Sequence, residues 1–299
     1  MDVSIIMINY NTFALTKAAI ESVFEKTEGI TYELILVDNN SPDGSGQQLN
    51  DYFGKKINYI QSGENIGFGR ANNLGFEHAK GRNIFLLNPD TLLLNNAVKI
   101  LSDYLDANPK VGVCGGNLYD ENMRPTHSFS RCLPSFFLEI NNLFGKDLFL
   151  RIKYGKNIYF NYTEKPLDVA YITGADMMIR KEVLSEVGDF DPDFFLYYEE
   201  TELTHRVKKA EYKIHSVPEA KIIHFESKSI SENKIKLMLE GRDLYYKKTH
   251  NVFFHGIVNV IYMTAGISRI LFYILFPNKT KRDGWIVVVR TINEKIRTS

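Results

Sequence analysis

Several common functions are excluded by what the 299-residue chain lacks. Two cysteines, Cys114 and Cys132, are too few and too far apart for a zinc cage or a disulfide framework, and reduced thiols suit a cytoplasmic protein. Lys+Arg and Asp+Glu both number 36, so no net positive field is available to attract nucleic acid. No GxGxxG follows the first apolar run and no GxxxxGK[ST] occurs, which argues against a dinucleotide-binding domain and a P-loop enzyme. The opening MDVSIIMINYN has no basic n-region and only a short apolar run, so it reads as a first strand and not as a signal peptide. A nucleotidyltransferase is disfavoured too, since no Gly-rich loop with basic residues opens the chain.

What is present is a strongly periodic N-terminal half. Apolar runs at residues 3–9, 33–37, 57–61 and 83–87 read as strands, and the stretches 13–26, 47–53, 67–80 and 97–106 as helices. Four such alternations predict an α/β fold with a mostly parallel, doubly wound sheet. Ligands of these sheets bind beyond the carboxyl ends of the strands. Those ends are polar here: Asn9-Tyr10-Asn11, Asp38-Asn39-Asn40-Ser41 and Asn88-Pro89-Asp90. Each alone could cap the following helix. Three on one rim point to a site, for a nucleotide other than NAD or ATP.

The ordered set SIIMINYN, ELILVDNNSPDGS, ENIGFGRANNLGF, FLLNPD, YITGADMMIRKEVLSEVGDFDPDFFLYYEETELTHR and IIHFESKS resembles the family-2 glycosyltransferases, and more narrowly their bacterial rhamnosyltransferase-like branch, over about residues 1–230. The resemblance implies a GT-A fold, with a mixed, mostly parallel sheet and flanking helices. It implies a nucleotide-binding half over 1–118 and an acceptor and catalytic half over 119–230, followed by a helical extension over 231–299. The implied activity is inverting transfer from a dTDP- or UDP-sugar, dTDP-L-rhamnose first among them, onto a glycan or polyprenyl-linked acceptor. UDP-galactose or UDP-N-acetylglucosamine as donor, or a degenerate glycan-binding subunit, are the alternatives.

The family's metal-binding Asp-x-Asp is Asn88-Pro89-Asp90 here. The resemblance makes Asp90 the carboxylate for Mg²⁺ or Mn²⁺ and Asn88 a neutral helper, with a plain turn cap as the other reading of Asp90. It places Asp38 on the N3–H of a pyrimidine, a donor that a carboxylate matches. Asn9, Tyr10, Asn11, Asn40, Gly67, Arg70, Gly174 and Ala175 complete the nucleotide-sugar contacts, Tyr10 by stacking on the base. Arg70 reads equally well as a solvated helix residue. The resemblance places His224 on the metal–diphosphate, with Ser227 or Ser229 adding a phosphate contact; taken alone, His224 reads as a core or capping residue. In the family's Glu-Asp-x-Asp-Leu pattern the base is the second residue; Glu200 takes its place, Glu199 is the runner-up, and Glu202 pairs with Arg206 at i, i+4. The aromatic run FFLYY is expected to shield Glu200 and raise its pKa.

Residues 120–166 are irregular and aromatic, either an acceptor-facing lid or extra core. Residues 252–276 are long and apolar enough to span a bilayer but contain His255, Asn259 and Arg269, and a basic stretch follows at 279–282. They read as an interfacial arm seating a cytoplasmic enzyme on the inner face of the membrane, or as a helix that packs domains or forms a homodimer.

Overall fold

The computed structural model describes residues 1–141, 147–225, 231–250 and 252–298; the expectations on Ser227 and Ser229, and residues 142–146 of the irregular segment, lie outside them. The N-terminal half alternates as its hydrophobic pattern predicts: β1 (Val3–Asn9), α1 (Phe13–Lys26), β2 (Tyr32–Asp38), α2 (Ser45–Phe53), β3 (Asn58–Gln61), α3 (Phe68–His78) and β4 (Asn83–Leu87). β1 is buried along its whole length, which explains its unbroken apolar run. Then come β5 (Thr91–Leu93), α4 (Ala97–Ala107), β6 (Val111–Tyr119), β7 (Phe129–Ser130), α5 (Phe136–Ile140) and α6 (Leu148–Tyr154). The chain continues with β8 (Leu167–Asp168), β9 (Tyr171–Ile172), β10 (Asp176–Arg180), α7 (Lys181–Val187), α8 (Glu199–Lys209) and β11 (Lys213–His224). It ends in α9 (Glu232–Thr249), α10 (Val252–Leu275) and α11 (Lys279–Thr298).

The main sheet runs β3-β2-β1-β4-β10-β6-β11-β5, with β8 beside β11. β1 to β4, β6 and β11 share one direction, while β10, β5 and β8 oppose it. The sheet is therefore mixed and mostly parallel. Apolar layers cover both faces, Ile5, Phe85, Leu101 and Met178 on one and Ile6, Leu86, Met177 and Phe190 on the other.

The apolar stretch VAYI at 169–172, just before TGAD, reads in the sequence as one strand, and the structure corrects that. Residues 169–172 do not form a single strand. Leu167–Asp168 joins β11 in the main sheet, and Tyr171–Ile172 pairs with β7 in a separate two-stranded sheet. The reason lies in the backbone: Val169 N–H donates to Ile214 O, whereas Ala170 N–H turns to Ser130 O. Successive N–H groups of extended chain point opposite ways, so each edge has found its own partner.

The last three helices pack on one another, and α9 joins the body through a cluster of Phe194, Tyr245, Tyr246 and Val258. The polar residues of α10 face inward. His255 Nε2 lies 3.5 Å from Asp243 Oδ1, Asn259 accepts from Arg242 at 2.8 Å, and the Arg269 guanidinium sits 4.6 Å from the Trp285 ring. Val258 and Ala265 are buried with them, but a run of other apolar residues faces outward, with Phe253 77% and Leu275 76% exposed. Residues Phe253–Leu275 are long and apolar enough to cross a membrane by length and composition.

Candidate active site

Parallel pairing of β1 with β2 sets Asn9 beside Asp38 at the carboxyl end of the sheet. Asp38 is 2% exposed, and its carboxylate is fully engaged. Oδ1 accepts from Asn9 Nδ2 at 2.7 Å and Ser41 Oγ at 2.5 Å; Oδ2 accepts from the Ser41 backbone N–H at 3.0 Å and Gln61 Nε2 at 3.0 Å. Asn9 is fixed in turn, its Oδ1 accepting from Thr12 at 3.0 Å and Thr16 at 2.9 Å. Tyr10 is exposed on the rim, and so are Asn11 and Asn40, whose backbones take the left-handed φ of 57° and 59° that Asn tolerates. Asn39 turns inward, its Oδ1 accepting from Ile66 N–H at 2.9 Å.

Gly67 is required by close approach as well as by its φ of 84°: a Cβ there would stand 2.3 Å from the Phe195 carbonyl oxygen. That same oxygen accepts from Phe68 N–H at 2.9 Å, which ties the start of α3 to the loop before α8. Arg70 serves this tie too, its Nε donating to Pro192 O at 2.6 Å.

At the end of β4, Asn88 N–H donates to Ala175 O at 3.0 Å, holding the Gly174-Ala175 segment against the rim. The antiparallel β5–β11 pair sets His224 opposite Thr91, and His224 Nε2 lies 3.3 Å from Asp90 Oδ1. Sequence reasoning assigned both residues to the metal, and the strands bring them together. The pair fits a divalent cation. A carboxylate oxygen and an imidazole nitrogen face each other with both side chains partly open to solvent, leaving most of the shell for phosphate oxygens and water. Among the described residues no group of three or more His, Cys, Asp or Glu gathers to form a complete protein cage.

The chain enters α8 through two consecutive non-glycine residues in left-handed conformation, Tyr197 (φ 72°) and Tyr198 (φ 71°). Such backbone costs of order 1–3 kcal/mol per residue and persists only where its surroundings impose it. Two surfaces do: the Gly67–Phe195 contact, and α9, where a Cβ on Gly241 would stand 2.4 Å from Tyr197 O. The turn delivers Glu199 into the interior and sets Glu200, half-buried, beside it. Glu199 is 3% exposed, and its Oε2 has no hydrogen-bond partner among the described residues. Burial and then the charge of Glu200 hold the Glu199 carboxyl well above its usual range. Loss of surrounding water pushes Glu200 up to about 7, against backbone donors at the helix start that favour its charged form. The shielding differs from the expected one in its source: Phe194 is buried, but Phe195 is 45% exposed, so only part of the FFLYY run shields the site. Glu202 makes the expected pair with Arg206, at 2.9 and 3.0 Å from Nε, and Arg206 also caps carbonyls of the α7–α8 loop.

Sequence reasoning missed several residues here. Tyr171 senses the charge of Glu200, and burial first, then that charge, raises its hydroxyl pKa. Asp176 is wholly buried, with Oδ2 accepting from Gly116 N–H at 2.6 Å and burial keeping its carboxyl well above the usual range. Glu139 accepts from Tyr246 and Tyr262, each at 2.5 Å, joining α5 to α9 and α10. The Asp in TGAD was the one local signal for any of these.

Comparison with known proteins agrees with this architecture. The chain is 24% identical over 307 residues to the low-salt glycan biosynthesis hexosyltransferase Agl10 of Haloferax volcanii, covering 99% of this chain and 86% of that one. It is 24% identical over 246 residues to the dTDP-rhamnosyl transferase RfbF of Shigella flexneri, covering 81% and 76%. Among solved structures, the mannosyltransferase PcManGT of Pyrobaculum calidifontis, in complex with GDP-Man and Mn²⁺, superposes with a TM-score of 0.61 at 12% identity, covering 98% of this chain and 86% of that one. GalNAc-T7 with UDP, GalNAc and Mn²⁺ gives 0.58 at 15% identity, over 82% of this chain and 50% of that one. These likenesses establish a GT-A-like fold. Residues 4–188 match the Glycosyl transferase family 2 profile, and with the rim, the strand order and the relatives in agreement, the chain belongs to that family.

Proposed function

We infer that the protein transfers a sugar, with inversion, from a pyrimidine nucleoside diphosphate to a glycan or polyprenyl-linked acceptor in surface-polysaccharide synthesis. The observation that carries this reading is Glu200, a carboxyl raised to about 7 at the start of α8, whose entry loop is bonded to the start of α3 on the rim through Phe195. A base of that pKa is matched to proton abstraction near neutral pH. The acceptor hydroxyl gives its proton to Glu200 as its oxygen attacks the anomeric carbon; the bond from that carbon to the diphosphate breaks, and the nucleoside diphosphate leaves. Asp90 and His224 would hold Mg²⁺ or Mn²⁺, which supplies positive charge to the departing diphosphate.

Asp38 reads the base. Its four acceptor directions are already filled, so a pyrimidine N3–H takes the place of the exposed Gln61 amide. dTDP-L-rhamnose is the favoured donor, in keeping with the Shigella relative's name, and a UDP-hexose is the second reading, in keeping with the Haloferax one. The outward apolar face of α10 and the basic residues Lys279, Lys281 and Arg282 support a peripheral seat on the inner face of the membrane, with a homodimer through the same face as the rival. Thermal unfolding with nucleotides tests the donor assignment. UDP or dTDP with Mn²⁺, at about 100 times Kd, should stabilise by ~2.7 kcal/mol, and GDP or ADP should not. Equal stabilisation by GDP overturns it.

A further inference from the structure

A cavity of about 370 Å³ lies in the irregular segment between β6 and β9, outside the site described above. Its wall combines Arg151, Lys156 and His127 with the aromatic rings of Tyr159, Phe160 and Tyr162. One carboxylate, Asp147, also lines it, but Asp147 Oδ1 already accepts from Tyr159 at 2.8 Å and Asn141 at 3.3 Å. Neither Arg151 nor Lys156 takes part in an ion pair among the described residues; Lys156 rests over the Tyr162 ring at 5.0 Å. The lining thus presents excess positive charge beside flat apolar rings.

Two neighbours say what such a cavity faces. On the inner side the His127 ring lies 4.8 Å from Tyr159 and 6.4 Å from Tyr171, and Tyr171 sits on β9, which packs against α8, the helix that Glu199 and Glu200 open. On the outer side, the helix that carries Arg151 bares its apolar residues: Phe149 is 49% and Ile152 75% exposed. That surface is continuous with α5 and α10, for Phe149 meets Phe137 at 5.8 Å and Phe136 meets Phe254 at 6.4 Å. From outside inward, the order is an exposed apolar face, a cationic aromatic cavity and the candidate base.

We propose that this cavity binds the diphosphate of a lipid-linked acceptor, with the lipid chain on the apolar face of α5 and α6 and the acceptor sugar directed toward Glu200. The assignment rests on the transferase reading above and names its acceptor. Arginine matches phosphate oxygens bidentately and the lysine adds a point charge, while the rings suit the first sugar. A neutral glycan acceptor would need neither the two cations nor the bare hydrophobic helix.

The test titrates the full chain in chelator, so that the Asp90–His224 pair holds no cation, with three probes: farnesyl diphosphate, farnesol and inorganic pyrophosphate. Farnesyl diphosphate should bind at least about tenfold tighter than either of the others, each tenfold being ~1.4 kcal/mol. The Arg151→Gln/Lys156→Gln double variant should lose that advantage over farnesol at an unchanged melting temperature. Ile152→Gln, at an exposed position, should weaken farnesyl diphosphate but not pyrophosphate. Unaltered affinity in the double variant overturns the cavity assignment, and pyrophosphate binding as tightly as farnesyl diphosphate overturns the lipid-linked acceptor. Failure of the wild-type protein to turn over any pyrimidine nucleotide sugar refutes the transferase reading instead, and the probe titration still decides the cavity.

Discussion

Asp38 and Glu199 are withdrawn from water to the same degree, 2% and 3% exposed, yet their oxygens are treated in opposite ways. Four donors converge on Asp38, two of them from the Ser41 turn that follows its own strand. Glu199 Oε2 receives none among the described residues, and its half-buried neighbour Glu200 is also partly stripped of water. The difference teaches what each carboxyl is for. One whose lone pairs are all used is a brace and, in the function proposed above, a fixed recognition edge. A pair raised mainly by loss of water holds its proton more tightly than usual, and can release or accept one near neutral pH.

The sharpest way to break the comparison is at the glutamates. Glu200→Gln keeps shape and hydrogen bonding but accepts no proton, so turnover should fall by at least about a hundredfold with donor affinity nearly unchanged. Glu199→Gln should be far milder, because the amide resembles the neutral acid that burial favours there. The wild-type rate should climb with pH through a midpoint of about 7 as Glu200 loses its proton, and that limb should vanish in Glu200→Gln. Stability should run the other way. A carboxyl raised in the folded state binds more protons folded than unfolded between the usual glutamate range and about 7, so its contribution is lost as pH rises through that window. Should Glu199→Gln abolish turnover and Glu200→Gln spare it, the two roles are exchanged.

A smaller effect is expected at the brace. Asp38→Asn sets an amide N–H₂ among groups that are themselves donors, and should cost about 1–3 kcal/mol of stability, read as a lower melting temperature, together with the preference for pyrimidines. The smallest is Gln61→Ala, which frees one lone pair of Asp38 at the edge of the sheet. Stability should change by less than about 1 kcal/mol, and UDP or dTDP should bind as well as before or slightly better. A tenfold loss would mean that Gln61 itself holds the base.

Most of the rim was legible because it is written locally. An apolar run specifies a buried strand, and the polar residues that end it must lie at its carboxyl end; Asn9, Asp38 and Asp90 were found that way. The base loop was legible only through the family pattern, and its left-handed tyrosines not at all, since neither Tyr197 nor Tyr198 is a residue type that prefers positive φ. The split of residues 167–172 between two sheets was hidden because Val169 and Ala170, which bond to different sheets, are neighbours in one short apolar run. Least legible were Glu139 with Tyr246 and Tyr262, which lie 107 and 123 residues apart in sequence. No period or spacing marks a pair that meets only once the chain has folded.

Gly241 sets a rule about chain length. It must present a bare backbone to Tyr197 O, and its place on the face of α9 depends on how many residues precede it in the helix. One residue inserted between Glu232 and Gly241 would turn that face by about 100° and advance it ~1.5 Å, bringing a side chain where none fits. Insertions beyond α9 carry no such penalty. The count of residues entering α9 is thus fixed by a contact with the turn that holds the candidate base, while the helices after it are bound by other ties, Asn259 to Arg242 and Tyr262 to Glu139.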